Sequence, residues 1–274
     1  MRCCLPLMLL ALWASVMAMA VATQQIHLKE YLGRTWADDL VSYPLDAELE
    51  KAPALAVTDA AGKAVPFQVY QGRIFLLVTL PADGELAFTV QPQAAPPSPA
   101  DGARALFSPD GAALILDSGA IALRLPAAFP RYDAGVSAAA VPGPLQGVRL
   151  GQGGWIGRSW LDAPLNVTGA KTTVTARGPL FAEAVVGYVF EGGKHYTLTA
   201  RVIAGQSTAI IDETMDLNPG GAYTLLTYTD DVERSTWEWW AQDDTDHLGV
   251  ETRRGHPANA VFSFYDGLEP NQCR

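Results

Sequence analysis

Leu180-Phe181-Ala182-Glu183-Ala184-Val185-Val186-Gly187-Tyr188-Val189-Phe190, Glu191-Gly192-Gly193-Lys194, and His195-Tyr196-Thr197-Leu198-Thr199-Ala200-Arg201-Val202-Ile203-Ala204 decide the fold class. In the last arm Tyr196, Leu198, Ala200 and Val202 alternate with Thr197, Thr199 and Arg201. A period of two describes a strand with one buried and one polar face. The glycine pair between the arms supplies the turn. A third arm runs from Thr208 to Leu217 after Ala204-Gly205-Gln206. Three neighbouring antiparallel strands, longer than the usual five or six residues, predict a broad sandwich.

The same grammar extends upstream. Asp59-Ala60-Ala61-Gly62-Lys63 reads as a turn, followed by strands over 65–70 and 74–80 that join through Gln71-Gly72. Pro81-Ala82-Asp83-Gly84 turns into a strand whose Leu86, Phe88 and Val90 share a face. Strands over 113–116 and 121–125 flank a turn at Asp117-Ser118-Gly119. Between these groups, Gln91 to Asp101 holds four prolines and few bulky apolar residues. Proline cannot donate to a ladder, so this segment reads as a linker. The expected fold is therefore all-β: a small N-terminal β-domain over 23–91, a proline-rich linker over 92–101 and a large antiparallel β-sandwich over 102–274. Val261 to Tyr265 reads as a strand and Asp266-Gly267 as a turn with no returning strand, which predicts a sandwich incomplete at its C-terminus.

The first 22 residues predict export. Arg2 precedes an apolar run from Leu7 to Val21, interrupted by Ser15 and ending at Ala20-Val21-Ala22, the pattern of a signal peptide cleaved near Thr23. A membrane anchor is the competing reading, since about 20 apolar residues span a bilayer. The small-residue ending and the polar Thr23-Gln24-Gln25 favour cleavage, which leaves no membrane segment in the mature protein. Cleavage also removes Cys3 and Cys4, so Cys273 has no intramolecular disulfide partner. An exported chain without disulfides rests on its core, and about 250 residues suffice for one. The expected location is secreted or periplasmic. Net charge is −10 and the isoelectric point about 4.8. That balance argues against nucleic acid or an anionic membrane as partner, because both require a basic surface.

Several phrases carry a resemblance: Gly62-Lys63-Ala64-Val65-Pro66-Phe67-Gln68, the proline-rich link, Arg177-Gly178-Pro179-Leu180, and the Tyr188 to Val202 hairpin. In this order they resemble the front β-domains of large secreted polysaccharide-degrading enzymes, in particular exo-rhamnogalacturonan lyases. The resemblance implies a sandwich similar to the galactose-mutarotase supersandwich and a polysaccharide partner. In such enzymes a helical toroid often carries much of the active site. No comparable helical stretch is legible here, so the resemblance implies the front part of a lyase or hydrolase and transfers no catalytic residue.

The richest chemical segment is Thr236-Trp237-Glu238-Trp239-Trp240-Ala241-Gln242-Asp243-Asp244-Thr245-Asp246-His247. It holds three of the chain's seven tryptophans. Indoles stack on the CH faces of sugars while carboxylates accept from hydroxyls. In a strand Trp237 and Trp239 would share one face, Glu238 and Trp240 the other. These four residues and Arg253 are the candidate substrate-binding set; sandwich core is the competing role for the tryptophans. Asp243, Asp244 and Asp246 offer oxygens for calcium, with Asp230-Asp231 upstream, but lack the glycine and terminal glutamate of an EF-hand. A solvated acidic loop is the plainer alternative.

A lyase needs a base and a group that neutralises a uronate, for which His195, His247, His256, Tyr228, Arg253 and Arg254 are candidates. A glycosidase needs two carboxylates at about 5.5 Å or about 6.5–9.5 Å. Glu213 shares its strand face with Ala209, Ile211, Met215 and Leu217, and burial there would raise its pKa as a general acid requires. A structural carboxylate paired with Arg201 is the alternative. The candidate catalytic set is Glu213, His247 and Tyr228. Gly151-Gln152-Gly153-Gly154 lacks the Gly-Lys-Ser/Thr of a phosphate loop, and no Gly-x-Ser-x-Gly elbow or zinc-like Cys/His spacing occurs. Asn166-Val167-Thr168 is a glycosylation sequon. A non-enzymatic module of the cell envelope, pairing through a sheet edge, is the alternative function.

Overall fold

The structure is a computed structural model. It describes residues 22–94, 102–132 and 134–217, and as backbone the strands at 222–227, 238–242 and 250–254. Residues 1–21 of the signal peptide expected over 1–22, and the strand and turn expected over 261–267, lie outside the described residues. The chain is all-β and sandwich-like, built from antiparallel sheets. It divides into two compact units at Ala100/Asp101.

The N-terminal unit contains β1 (Gln24–Lys29), β2 (Trp36–Pro44), a single-turn helix (Ala47–Glu50), β3 (Leu55–Asp59), β4 (Phe67–Tyr70), β5 (Arg73–Leu80) and β6 (Glu85–Pro92). Two three-stranded sheets form, in the orders β1-β6-β3 and β2-β5-β4. Alternation makes the core: Ile26 and Leu28, Ile74, Leu76, Val78 and Leu80, and Phe88 and Val90 are buried together, with Leu86 packed against them. The turns use the chemistry legible in their residues. Gln71 and Gly72 both take positive φ, +50° and +68°, so β4 and β5 meet in a two-residue hairpin whose backbone matches strand twist. Asp59 Oδ1 accepts from the Ala61 and Lys63 amides, closing the turn after β3. β6 continues one residue into the proline-rich segment, where Pro92 stands opposite Leu55.

The second unit contains β7 (Arg104–Phe107), β8 (Ala113–Asp117), β9 (Ile121–Pro126), β10 (Val136–Ser137), β11 (Gly147–Leu150), β12 (Arg158–Asp162), β13 (Asn166–Arg177), β14 (Phe181–Phe190), β15 (Lys194–Ile203), β16 (Ala209–Met215), β17 (Ala222–Thr227), β18 (Glu238–Gln242) and β19 (Val250–Arg254). A five-stranded sheet, β10-β13-β14-β15-β16, and a four-stranded sheet, β11-β9-β8-β7, supply the core. Ala182, Ala184, Val186, Tyr188, Phe190, Tyr196, Leu198, Ala200 and Val202 from the long hairpin pack with Leu114, Leu116, Leu123 and Leu125. Small alanines on the central strands let large residues of the facing sheet interdigitate. The turn after β8 is tied to the turn after β15: Ser118 Oγ donates to Gln206 O at 2.6 Å, and the Gly205 amide donates to Ser118 O at 2.8 Å. β12 pairs with β17, and β18 with β19.

Candidate functional site

Four of the five candidate substrate-binding residues fall on one antiparallel ladder. β18 and β19 pair so that Glu238 stands opposite Arg254, Trp239 opposite Arg253 and Trp240 opposite Thr252. Arg253 is twelve or more residues from the tryptophans in sequence, so the ladder, not chain proximity, brings an aromatic, an acid and two cations to one two-stranded sheet. Trp237, Tyr228, His247 and His256 lie outside the described residues, as do Asp230, Asp231, Asp243, Asp244 and Asp246 of the calcium expectation. Among the described residues no group of three or more His, Cys, Asp or Glu side chains is placed to hold a metal.

Glu213 is separate from that ladder, on β16 at the edge of the five-stranded sheet. It stands opposite Leu198, in the row that also pairs Ile211 with Ala200 and Met215 with Tyr196. Its burial is intermediate, because β16 is the last strand of the sheet among the described residues. The Tyr196 hydroxyl donates to Glu213 Oε1 at 2.5 Å. Tyr196 is itself fully buried and packs on Tyr188 at 6.0 Å between centroids. Tyr188 in turn donates to Pro142 O at 2.7 Å, and burial pushes its phenol above the ordinary tyrosine range. Burial also raises Tyr132, whose hydroxyl finds no hydrogen-bond partner among the described residues. The Tyr132 and Tyr188 phenols therefore stay protonated at neutral pH and do not act as bases.

Arg201 takes a different partner from the one its sequence neighbourhood offered. It stands directly opposite Glu183, whereas Glu213 stands opposite Leu198 on the alternate face. Period-two geometry therefore separates Arg201 from Glu213 and delivers it to Glu183. Arg201 Nε donates to Glu183 Oε2 at 2.8 Å and Nη2 donates to the same oxygen at 2.5 Å; Thr175 Oγ1 donates to Oε1 at 2.8 Å. The guanidinium also lies over Phe181, 4.5 Å from its centroid. The rest of this face is mixed: Lys171, Thr173, Thr197, Thr199 and Asp212 lie on neighbouring strands together with Val185, Val189 and Ile210. His195 is exposed on β15, and its backbone amide donates to Asp216 Oδ1.

Sequence reasoning passed over the loop between β1 and β2. Glu30 is 5% exposed, and its carboxylate accepts from the Leu32 and Gly33 amides at 2.8 Å each, the Asp83 amide at 3.0 Å and Trp36 Nε1 at 3.2 Å. Burial pushes this carboxyl up, but the four donors outweigh it and hold the pKa at about 2. The cage leaves Tyr31 and Leu32 pointing outward. Part of the signal was local: a glutamate followed two and three residues later by amides it can cap, with Gly33 at φ +67°. Asp83 could not be foreseen, since it arrives from a turn in another hairpin.

A scan against family models found no match to this chain, and a search of curated proteins found none either.

Proposed function

We propose that the chain is an exported carbohydrate-binding β-sandwich protein, akin to the front domains of secreted polysaccharide-degrading enzymes, and that it takes a neutral or acidic polysaccharide on the β18–β19 ladder. One observation carries the reading: the register that sets Trp239 opposite Arg253 and Glu238 opposite Arg254. Saccharides ask for this mixture, an aromatic surface for their CH faces, carboxylate acceptors for their hydroxyls, and a guanidinium for a uronate. Export is supported by the leader pattern over residues 1–22 and by a single cysteine, Cys273, in the remainder. Among the described residues no helix is long and apolar enough to cross a membrane. The all-β architecture suits a platform for an extended ligand. Glu213, hydrogen-bonded to a buried tyrosine, serves the sheet edge in this reading, and the chain acts by binding.

The test is a polysaccharide panel presented to the exported chain and to Trp239→Ala, Trp240→Ala and Arg253→Ala. Trp239→Ala and Arg253→Ala, whose positions share one face of the ladder, are each expected to weaken binding about tenfold, the effect of about 1.4 kcal/mol of lost contact, and Trp240→Ala, on the other face, to weaken it less, with the circular dichroism spectrum unchanged. Arg253→Ala should discriminate against acidic glycans more than neutral ones. If Trp239→Ala and Arg253→Ala bind as the parent does, the ladder is not the site.

A further inference from the structure

We infer that the N-terminal unit carries a saccharide-binding trough of its own along strands β1 and β2, with Tyr31 as its stacking platform. The inference rests on the reading of the chain as carbohydrate-binding but uses a different surface. Tyr31 and Leu32 are 77% and 74% exposed, the two most exposed large apolar side chains among the described residues. Single exposed apolar residues need no explanation, but two adjacent ones on a rigidly held loop beside a cleft do. The Glu30 cage fixes their backbone through the Leu32 and Gly33 amides. A loop ordered before binding loses little entropy when a ligand arrives.

A second device shapes the opposite wall. The β2–β5 register slips between Trp36 and Asp39, a bulge in which Asp38 takes φ +50°. Bulges re-aim the side chains that follow them, and Asp39 lines the cleft. Asp38 is held there by Thr79, whose hydroxyl accepts from the Asp38 amide at 3.2 Å and donates to Oδ1 at 3.1 Å. β1 and β2 are also tied to each other where Gln24 Nε2 donates to Pro44 O at 2.8 Å, and Gln24 Oε1 accepts from the Asp46 amide at 3.1 Å.

Residues of β1, β2 and the loop that joins them line two clefts of about 670 Å3 and about 460 Å3. They share Leu28, Lys29, Tyr31 and Leu80, so they form one open trough rather than two sites. Its aromatic walls are Tyr31, Tyr43 and Trp36, and its polar groups are His27, Lys29, Asp39 and Glu85. Lys29 bridges these classes, 2.6 Å from Glu85 and 5.6 Å from the Tyr31 centroid. Arg34 covers Trp36 at 4.1 Å and the indole also donates to Glu30, so it forms wall and cage, while Tyr31, with Lys29 more distant on one face, remains 77% exposed.

An apolar protein surface docked here would have to desolvate the Lys29–Glu85 pair and Asp39 without replacing their water. A pyranose does not, because its hydroxyls take the place of that water while its CH face covers the ring. An open trough with polar and apolar walls favours an oligosaccharide of several units over a compact metabolite, which would be enclosed.

The experiment uses the full exported chain and the tightest-binding oligosaccharide of the panel. Tyr31→Ala should weaken binding about tenfold without changing the melting temperature, whereas Tyr31→Phe, which keeps the ring, should bind as the parent. The Leu32 and Gly33 amide resonances should shift on titration in the parent. If Tyr31→Ala binds as the parent and those resonances stay put while Trp239→Ala loses binding, the trough is overturned and the ladder stands. If Tyr31→Ala loses binding while Trp239→Ala and Arg253→Ala do not, the trough stands and the ladder falls. A parent that binds no glycan overturns both.

Discussion

Glu30 and Glu183 are equally buried, each 5% exposed, yet they are held in opposite ways. Glu183 meets a guanidinium from the next strand and a threonine hydroxyl from the strand on its other side. Glu30 is neutralised by dipoles, three backbone amides and one indole. The first arrangement ties three strands whose register the ladder already sets. The second shapes a loop that has no ladder of its own. A buried charge therefore serves two ends here: a cross-strand pair adds to regular structure, whereas an amide cage substitutes for it.

The largest effect is expected at the ion pair. Glu183→Ala leaves Arg201 without its partner in a largely buried setting, and should lower stability by about 3 kcal/mol in urea unfolding. The residual exposure of Arg201 keeps this at the low end of such losses. Replacing both residues by methionine should recover most of it, because neither charge is then stranded. A double variant as unstable as the single one would show that the pair does more than neutralise itself.

Glu30 distinguishes itself by pH. Its carboxyl titrates at about 2 in the folded unit but near the ordinary glutamate value, about 4.3, when unfolded. A lowered pKa contributes stability that is fully present above the unfolded value and is lost as pH falls toward the folded one. The parent's urea midpoint should therefore drop between about pH 4.5 and about pH 2, and Glu30→Gln should flatten that drop while lowering the midpoint at neutral pH. An unchanged slope in the variant would mean that other carboxylates account for it. Smaller still is Trp36→Phe, which removes the 3.2 Å indole donor and should lower stability by about 1 kcal/mol. Lys51→Ala, breaking a pair exposed by 70% and 73%, should leave the midpoint where it was.

Much of the fold was legible because alternation is local. The faces of Leu86, Phe88 and Val90, and of Tyr196 to Val202, follow from period two, and the Gln71-Gly72 and Asp59–Lys63 turns from their residues. Partner choice was not. Arg201 lies close to Glu213 in sequence and on the neighbouring strand, but a register in which Glu213 meets Leu198 sends it to the other face. The candidate site was legible in residue types around Trp239 and illegible in geometry, since the opposition of Arg253 depends on where β19 returns. Tyr31 and Leu32 carried no signal at all, because an exposed apolar pair is indistinguishable in sequence from a buried one.

The sequence by itself determined that this chain is all-β in class and that its core faces alternate, because side-chain direction in a strand is fixed by residue parity. Which strands became neighbours, which acids found cations and which found amides, and which apolar residues remained in water were decided by tertiary structure. Those outcomes depend on register between segments far apart in the chain, as when the Asp83 amide closes the cage around Glu30 from 53 residues away.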